Sequence, residues 1–145
     1  MRNGSGSCYL DASILVAILT VESFSGRADR FVRDHPIGLI ISDLAAAEFA
    51  SAIARRVRMR EVTVDEARSD LSAFDSWAAR AVQLIQVAPV DIALATAFLR
   101  RLDLTLRTPD AIHIAIAQRV EATLVTFDVR MAESARALGM AVAMP

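Results

Sequence analysis

Short apolar runs of strand type recur along this chain, and between them lie longer stretches with helical spacing. Tyr9 and Leu10 lead into Asp11, Ile37 to Ile41 is a continuous apolar run rich in β-branched residues, and Leu84 to Val87 and Thr123 to Thr126 repeat the type. A run apolar at every position, rather than at alternate ones, is buried on both faces, as in a parallel sheet. The intervening segments turn helical. Ser13 onward carries Leu15, Val16, Ile18 and Leu19, and Ser25 to Asp34 sets Ala28, Phe31 and Val32 on one face before His35-Pro36 breaks it. Ser42 is placed to cap a helix that runs past Glu48 to about Arg58, with Asp43 in its first turn. Thr63-Val-Asp-Glu66 has the form of a capping box opening a helix to about Ala81. Pro89 opens another, and Thr108-Pro109-Asp110 reads as an N-cap with proline in the first turn of a helix to about Val120. Val129 to Leu138 is the last helix, ended by Gly139, and Ala141 to Ala143 a short final strand. The predicted order is βααβααβααβαβ, an α/β chain forming a three-layer α/β/α sandwich around a mainly parallel sheet.

At 145 residues the chain has the size of one domain with a full core, and 54% apolar against 23% charged residues argues for a compact fold. Residues 8–145 read as that domain. The opening MRNGSGS, residues 1–7, reads as a flexible lead or an expression remnant and is set aside. Ile14 to Leu19 is far too short to span a membrane, and with Asp11 at its edge and only Arg2 before it, it makes a poor signal peptide. Cys8 is the one cysteine, which rules out a disulfide framework and a thiolate zinc site and fits a reducing, cytoplasmic setting.

Four carboxylates sit beside these apolar stretches: Asp11 in CYLDASILVAIL, Glu48 in SDLAAAEFASAI, Asp110 in RTPDAIHIAIA and Asp128 in TLVTFDVRMAE. Ligands of open parallel sheets bind at the carboxyl ends of the strands. Asp11 ends the first strand, Asp128 follows the fourth, Asp110 lies in the first turn of a helix, and Glu48 lies in the second turn of a helix leaving a strand. All four can therefore reach one edge. Each also has a plainer reading: Asp110 favours a helix dipole, Asp128 caps the last helix, and Asp11 is a turn residue. Glu48 resists such a reading. Its helical neighbours Leu44, Ala45, Ser51 and Ala52 carry no opposite charge, so it needs solvent or a partner from elsewhere.

Clustered carboxylates raise one another's pKa, and a hard cation reverses this. With two histidines and no thiolate pair, that cation is expected to be magnesium or manganese. Such an ion supports hydrolysis of a phosphodiester by activated water, without a covalent enzyme intermediate. The net charge of −1 excludes a whole-molecule basic field, so a polyanion must be held locally. All sixteen basic residues are arginine, for which a GC-rich genome is the plain cause. The absence of lysine excludes the P-loop and phosphoreceiver chemistry. Haloacid-dehalogenase-type phosphatases want a second aspartate where Ser13 stands.

YLDASILVA, SDLAAAEFASA, LRTPDAIHIAIA and TLVTFDVRMAESARALG, in this order, resemble the PIN-domain ribonucleases, and within them the VapC-type toxins of bacterial toxin–antitoxin pairs. The resemblance runs from about Tyr9 to Met140. It implies a PIN-like fold and a magnesium- or manganese-dependent endoribonuclease that cuts selected RNA. It also implies a homodimer and a cognate antitoxin whose tail covers the site. By motif match Asp11, Glu48, Asp110 and Asp128 become the catalytic, metal-holding quartet, and Ser13 and Thr126 match polar positions that line the pocket. The competing readings are a non-cleaving PIN-like module that binds RNA or protein, and a nuclease for structured DNA, for which the chain is short.

Other residues carry two readings each. Arg55, Arg56, Arg58 and Arg60 are a solvated helix end or a phosphate-contacting patch beside the site. Arg100, Arg101 and Arg107 are a second candidate patch. His113, one turn after Asp110, is a pocket-wall residue or a partner of a ligand carboxylate. Leu71, Phe74 and Trp77 are core by default and a partner groove otherwise. Asp43 and Asp91 are helix-start residues, or outer partners of the metal site.

Overall fold

The computed structural model describes residues 6–145, so most of the expected flexible lead lies outside the described residues. Of that lead, Ser7 is held by its carbonyl, which accepts the Thr123 N–H at 2.9 Å. The elements follow the expected order: β1 (Cys8–Leu10), α1 (Ala12–Leu19), α2 (Ser25–Asp34), β2 (Leu39–Ser42), α3 (Asp43–Arg58), α4 (Val64–Ala81), β3 (Gln83–Ile85), α5 (Pro89–Leu99), α6 (Thr108–Arg119), β4 (Thr123–Val125), α7 (Val129–Ala137) and β5 (Val142–Ala143). The five strands lie in the order β3-β2-β1-β4-β5, and every pairing is parallel. Chain order runs outward from β1 through β2 to β3, then resumes on the other side of β1 with β4 and β5. The crevice between β1 and β4 is thus the switch point where such sheets bind ligands.

The strand pleat assigns the layers. Cys8, Leu10, Leu39, Ile41 and Val125 face one core with Ile14, Leu15, Phe49, Ile53 and Phe74, from α1, α3 and α4. Tyr9, Ile40 and Leu124 face the other, with Phe98, Ile114, Ile116 and Met131, from α5, α6 and α7. The expected three-layer sandwich is therefore the observed one. Phe74 stacks on Phe49 with centroids 5.0 Å apart, and Leu71 and Trp77 pack beside it, so this triplet is core rather than groove.

Several boundaries shift for local reasons. The run from Ile37 starts pairing only at Leu39, because Gly38 takes φ +78° and Ile37 is 72% exposed. β3 stops at Ile85 instead of Val87, whose N–H turns to the Asp43 carboxylate at 2.9 Å. The α6 start moves by one residue. Arg107 is the N-cap, Thr108 and Pro109 are helical, and Asp110 therefore falls at N3, where its side chain accepts the Arg107 N–H at 3.0 Å. The capping box at Thr63 and Glu66 is formed as read.

Candidate active site

Asp11 follows the last residue of the central strand and is 3% exposed. Its Oδ1 accepts the Ser13 hydroxyl at 2.6 Å and the Ile14 N–H at 3.3 Å, capping α1, and its Oδ2 accepts the Thr126 hydroxyl at 2.6 Å. The two hydroxyls reach on to the neighbouring strand exit. Ser13 Oγ accepts the Phe127 N–H at 3.0 Å, and Thr126 Oγ1 accepts the Asp128 N–H at 2.9 Å. Ser13 and Thr126 are therefore ties across the switch-point crevice, fixing Asp11 relative to Asp128. Burial pushes the Asp11 carboxyl up from the usual range, against the opposing hydrogen bonds from Ser13 and Thr126, the nearby His113 and the Ile14 N–H.

Asp128 caps α7, its Oδ1 accepting the Met131 N–H at 3.0 Å. Asp110 is half-buried, and its carboxyl is also raised. Burial is the main cause, the Arg107 N–H opposes it, the charge of Asp128 adds to it, and Glu48 adds less. These repulsions place Asp110, Asp128 and Glu48 in one electrostatic neighbourhood. The plainer reading of Asp128 as a cap is thus correct as local geometry, Asp110 lies in the first turn of α6 as the dipole reading has it, and Asp11, read as a turn residue, is the N-cap of α1.

Glu48 has the partner that its own helix could not supply. Its Oε1 is hydrogen-bonded to His113 Nε2, joining α3 to α6 across the end of the sheet. His113 is buried, and its Nδ1 lies 2.6 Å from the Tyr9 hydroxyl, which lies 2.7 Å from Ser42 Oγ. Burial pushes the Tyr9 hydroxyl far above its ordinary pKa, against the Ser42 hydrogen bond and with the charges of Asp11, Glu48 and Asp43 adding, so it remains a neutral O–H. Sequence reading placed Tyr9 only as strand and Ser42 only as a cap. The available signal was the single tyrosine, inward-facing in β1, since a buried phenol needs a partner for its hydroxyl.

Two clefts flank the carboxylates. One, of about 450 Å³, is lined by Glu48, Ser51, Arg55, Arg56 and Arg58. The other, of about 370 Å³, is lined by Arg107, Asp110, Asp128 and Arg130. Arg55, Arg56 and Arg107 therefore stand beside the acidic residues, and Arg130 joins them, a residue the sequence did not single out. Arg101 instead pairs with Asp103 at 2.8 Å. Asp91 pairs with Arg119 at 2.7 Å and Asp43 holds the loop after β3, so neither belongs to the acidic cluster's hydrogen bonds.

Among the described residues, no three His, Cys, Asp or Glu side chains close into a ready-made metal cage. The donor chemistry nonetheless suits a hard cation. The set is all carboxylate, two members carry raised pKa values, and the hydrogen bonds of three members use only Oε1 of Glu48, Oδ2 of Asp110 and Oδ1 of Asp128.

A five-stranded parallel α/β sandwich, with Asp11 and Asp128 tied together at its switch point, defines the chain as an α/β protein whose ligand crevice lies between β1 and β4. The model of the PIN domain matches residues 8–137, and the chain belongs to the PIN-domain family. It is 34% identical over 141 residues to ribonuclease VapC46 of Mycobacterium tuberculosis, covering 94% of this chain and 96% of that protein. Among solved structures it resembles M. tuberculosis VapC20, a sarcin-ricin loop cleaving toxin, with TM-score 0.75, 20% identity and coverage of 96% of this chain and 100% of that one. It also resembles DNA-bound VapBC from Salmonella typhimurium, with TM-score 0.72, 13% identity and coverage of 95% and 97%. At these identities the two structures establish the fold. Among the described residues no helix is long and apolar enough to cross a membrane.

Proposed function

We propose that this chain is a divalent-metal-dependent endoribonuclease and the toxin of a toxin–antitoxin pair, with Asp11, Glu48, Asp110 and Asp128 as its catalytic carboxylates. Membership of the PIN-domain family and the 34% identity to a ribonuclease support the reaction class. The observation that carries the site is the cross-brace at the switch point. Asp11 is held through Thr126 to the backbone of Asp128, while Asp110 and Glu48 approach the same edge from α6 and α3.

The residues divide the work. The four carboxylates would hold Mg2+, or Mn2+ in its place. When bound, the ion supplies charge neutralisation at a phosphodiester and activates water for its hydrolysis. Ser13 and Thr126 hold Asp11 with both oxygens directed by hydroxyl donors. Arg55 and Arg56 on one side and Arg107 on the other would take flanking RNA phosphates, which a chain of net charge −1 can bind only through local patches. An antitoxin protein and a homodimer are the partners that the family resemblance implies.

The test is incubation of total bacterial RNA with the purified protein in Mg2+, Mn2+ or EDTA, beside an Asp11→Asn control, with cleaved ends mapped by sequencing. Discrete metal-dependent cuts absent from the control are expected. Cutting that persists in excess EDTA overturns the metal mechanism. Metal binding with no cuts in any RNA pool favours a non-cleaving binding module.

A further inference from the structure

The carboxylates account for the edge of the sheet, yet a buried polar chain runs beneath them through the core. Ser42, the last residue of β2, accepts the Ala45 N–H at 3.0 Å as the cap of α3. The Tyr9 hydroxyl stands 2.7 Å from Ser42 Oγ and 2.6 Å from His113 Nδ1, and His113 Nε2 is bonded to Glu48. Tyr9 and Ser42 are 0% exposed and His113 is 1% exposed, in a layer otherwise filled by Ile40, Ala111, Ile114 and Leu124. A polar chain of this length in an apolar layer is tolerable only when every member is satisfied, and here every buried side-chain nitrogen and oxygen among the described residues has a partner.

Donor counting gives the chain a direction. A carboxylate can only accept, so His113 Nε2 carries a proton and donates to Glu48. With Nε2 as the donor, Nδ1 accepts from the Tyr9 O–H, and the Tyr9 oxygen accepts from the Ser42 O–H, whose own oxygen already accepts from Ala45. Each hydroxyl donates once and none is left without an acceptor. In the reverse direction Tyr9 donates to Ser42, and the Ser42 proton loses its acceptor in the chain.

We propose that Tyr9 and His113 are positioning residues for the metal-holding carboxylate Glu48, the Ser42–Tyr9–His113 chain fixing the imidazole in its Nε2–H form and thereby the rotamer of Glu48. This rests on the proposed metal role of Glu48. Glu48 is on a half-exposed helix face with no charged neighbour within a turn, so without His113 nothing in its own helix would select one orientation. Outer partners of metal ligands act in this way, by orienting the ligand and setting its basicity.

The experiment compares wild type with Tyr9→Phe, His113→Gln and His113→Leu, reading Mn2+ affinity by calorimetry, RNA cleavage, and the melting temperature in EDTA. Wild type is the control on the underlying reading: failure to bind Mn2+ removes the metal role of Glu48 itself. With wild type binding, His113→Leu is expected to weaken Mn2+ by about 10- to 100-fold. His113→Gln, which keeps a donor toward Glu48, recovers part of that affinity. Tyr9→Phe, which removes one oxygen and almost no volume, falls between wild type and His113→Leu. A merely structural chain would lower the melting temperature while leaving the affinity of the folded protein unchanged. Unchanged Mn2+ affinity in folded Tyr9→Phe and His113→Gln therefore overturns the proposal, and those two variants decide it even where His113→Leu does not fold.

Discussion

The hydroxyl of Thr126 stands between two carboxylate residues, donating to Asp11 Oδ2 at 2.6 Å and accepting the Asp128 N–H at 2.9 Å. With the parallel tie through Ser13, this side chain sets the spacing of the β1 and β4 exits. Thr126→Val keeps the volume and removes both bonds, leaving a buried carboxylate oxygen and an amide without partners. The expected loss is about 1–3 kcal/mol, read as a melting temperature several degrees lower, together with slower cleavage. Thr126→Ser keeps the hydroxyl and should stay near wild type on both measures. Thr126→Val near wild type beside an impaired Thr126→Ser would show that the methyl, not the hydroxyl, matters here.

Asp11 combines the deepest burial in the acidic group with a raised pKa caused chiefly by that burial. A carboxyl whose folded pKa lies above its unfolded value adds stability only while protonated, and that contribution is lost as pH rises through the folded value. At neutral pH without metal, the Asp11 charge therefore opposes folding. Asp11→Asn should melt at or above the wild-type temperature in EDTA and gain nothing from added Mn2+. It should also lose cleavage by more than about 100-fold, beyond the effect of losing an outer partner. A clear drop in its metal-free melting temperature would assign Asp11 a mainly structural role as the cap of α1.

Much of this site was legible because its carboxylates sit at strand exits and helix starts, positions that apolar runs and capping patterns mark in the sequence. The sheet and the layers followed from that. What escaped was which residues far along the chain meet, although one reading of His113 made it a partner of a ligand carboxylate. Tyr9 meets His113 across 104 residues and His113 meets Glu48 across 65, so no local pattern could pair them. The one-residue shift at Arg107 escaped for the opposite reason. Either Arg107 or Thr108 could precede the proline as N-cap, and the Asp110 side chain selects Arg107 by bonding its N–H. Arg130 went unnoticed because its relation to Asp128 shows only once α7 has turned it toward the cleft with Arg107.

The arginine-lined clefts predict an uneven effect of charge removal. RNA binding, measured with the Asp11→Asn protein so that substrate survives, should weaken for Arg55→Ala, Arg56→Ala and Arg107→Ala. For each phosphate no longer neutralised, the slope of log affinity against log salt should flatten by about 0.7–1. Arg101→Ala is the comparison, because that guanidinium is held by Asp103 at 2.8 Å on an exposed loop. A slope that changes as much for Arg101 as for the cleft residues would mean that the basic residues act as a diffuse field.

The last prediction concerns the pair that binds α5 to α6. Asp91 is 1% exposed, and Arg119 reaches it through Nε at 2.7 Å and through a second nitrogen at 2.9 Å, while Asp91 also accepts the Ala88 N–H at 2.7 Å. Burial pushes the Asp91 carboxyl up, but the hydrogen bonds from Arg119 and Ala88 and the Arg119 charge outweigh it, and the net shift is downward. A folded pKa below the unfolded one gives stability that is present above the unfolded value, about 3.9 for aspartate, and is lost as pH falls through the lowered folded value. Arg119→Leu strands the buried carboxylate and should destabilise the protein by about 2–3 kcal/mol at neutral pH, less than for a fully buried pair because Arg119 is one-third exposed. In the variant, burial without the guanidinium raises the Asp91 pKa, so acid neutralises the stranded charge there first. Urea unfolding of both proteins at pH 7 and at about pH 4 should therefore show the gap narrowing toward acid. A gap of constant size would mean that Arg119 acts through the packing of its stem and the 3.1 Å hydrogen bond that its guanidinium donates to the Gln86 carbonyl, not through the ion pair.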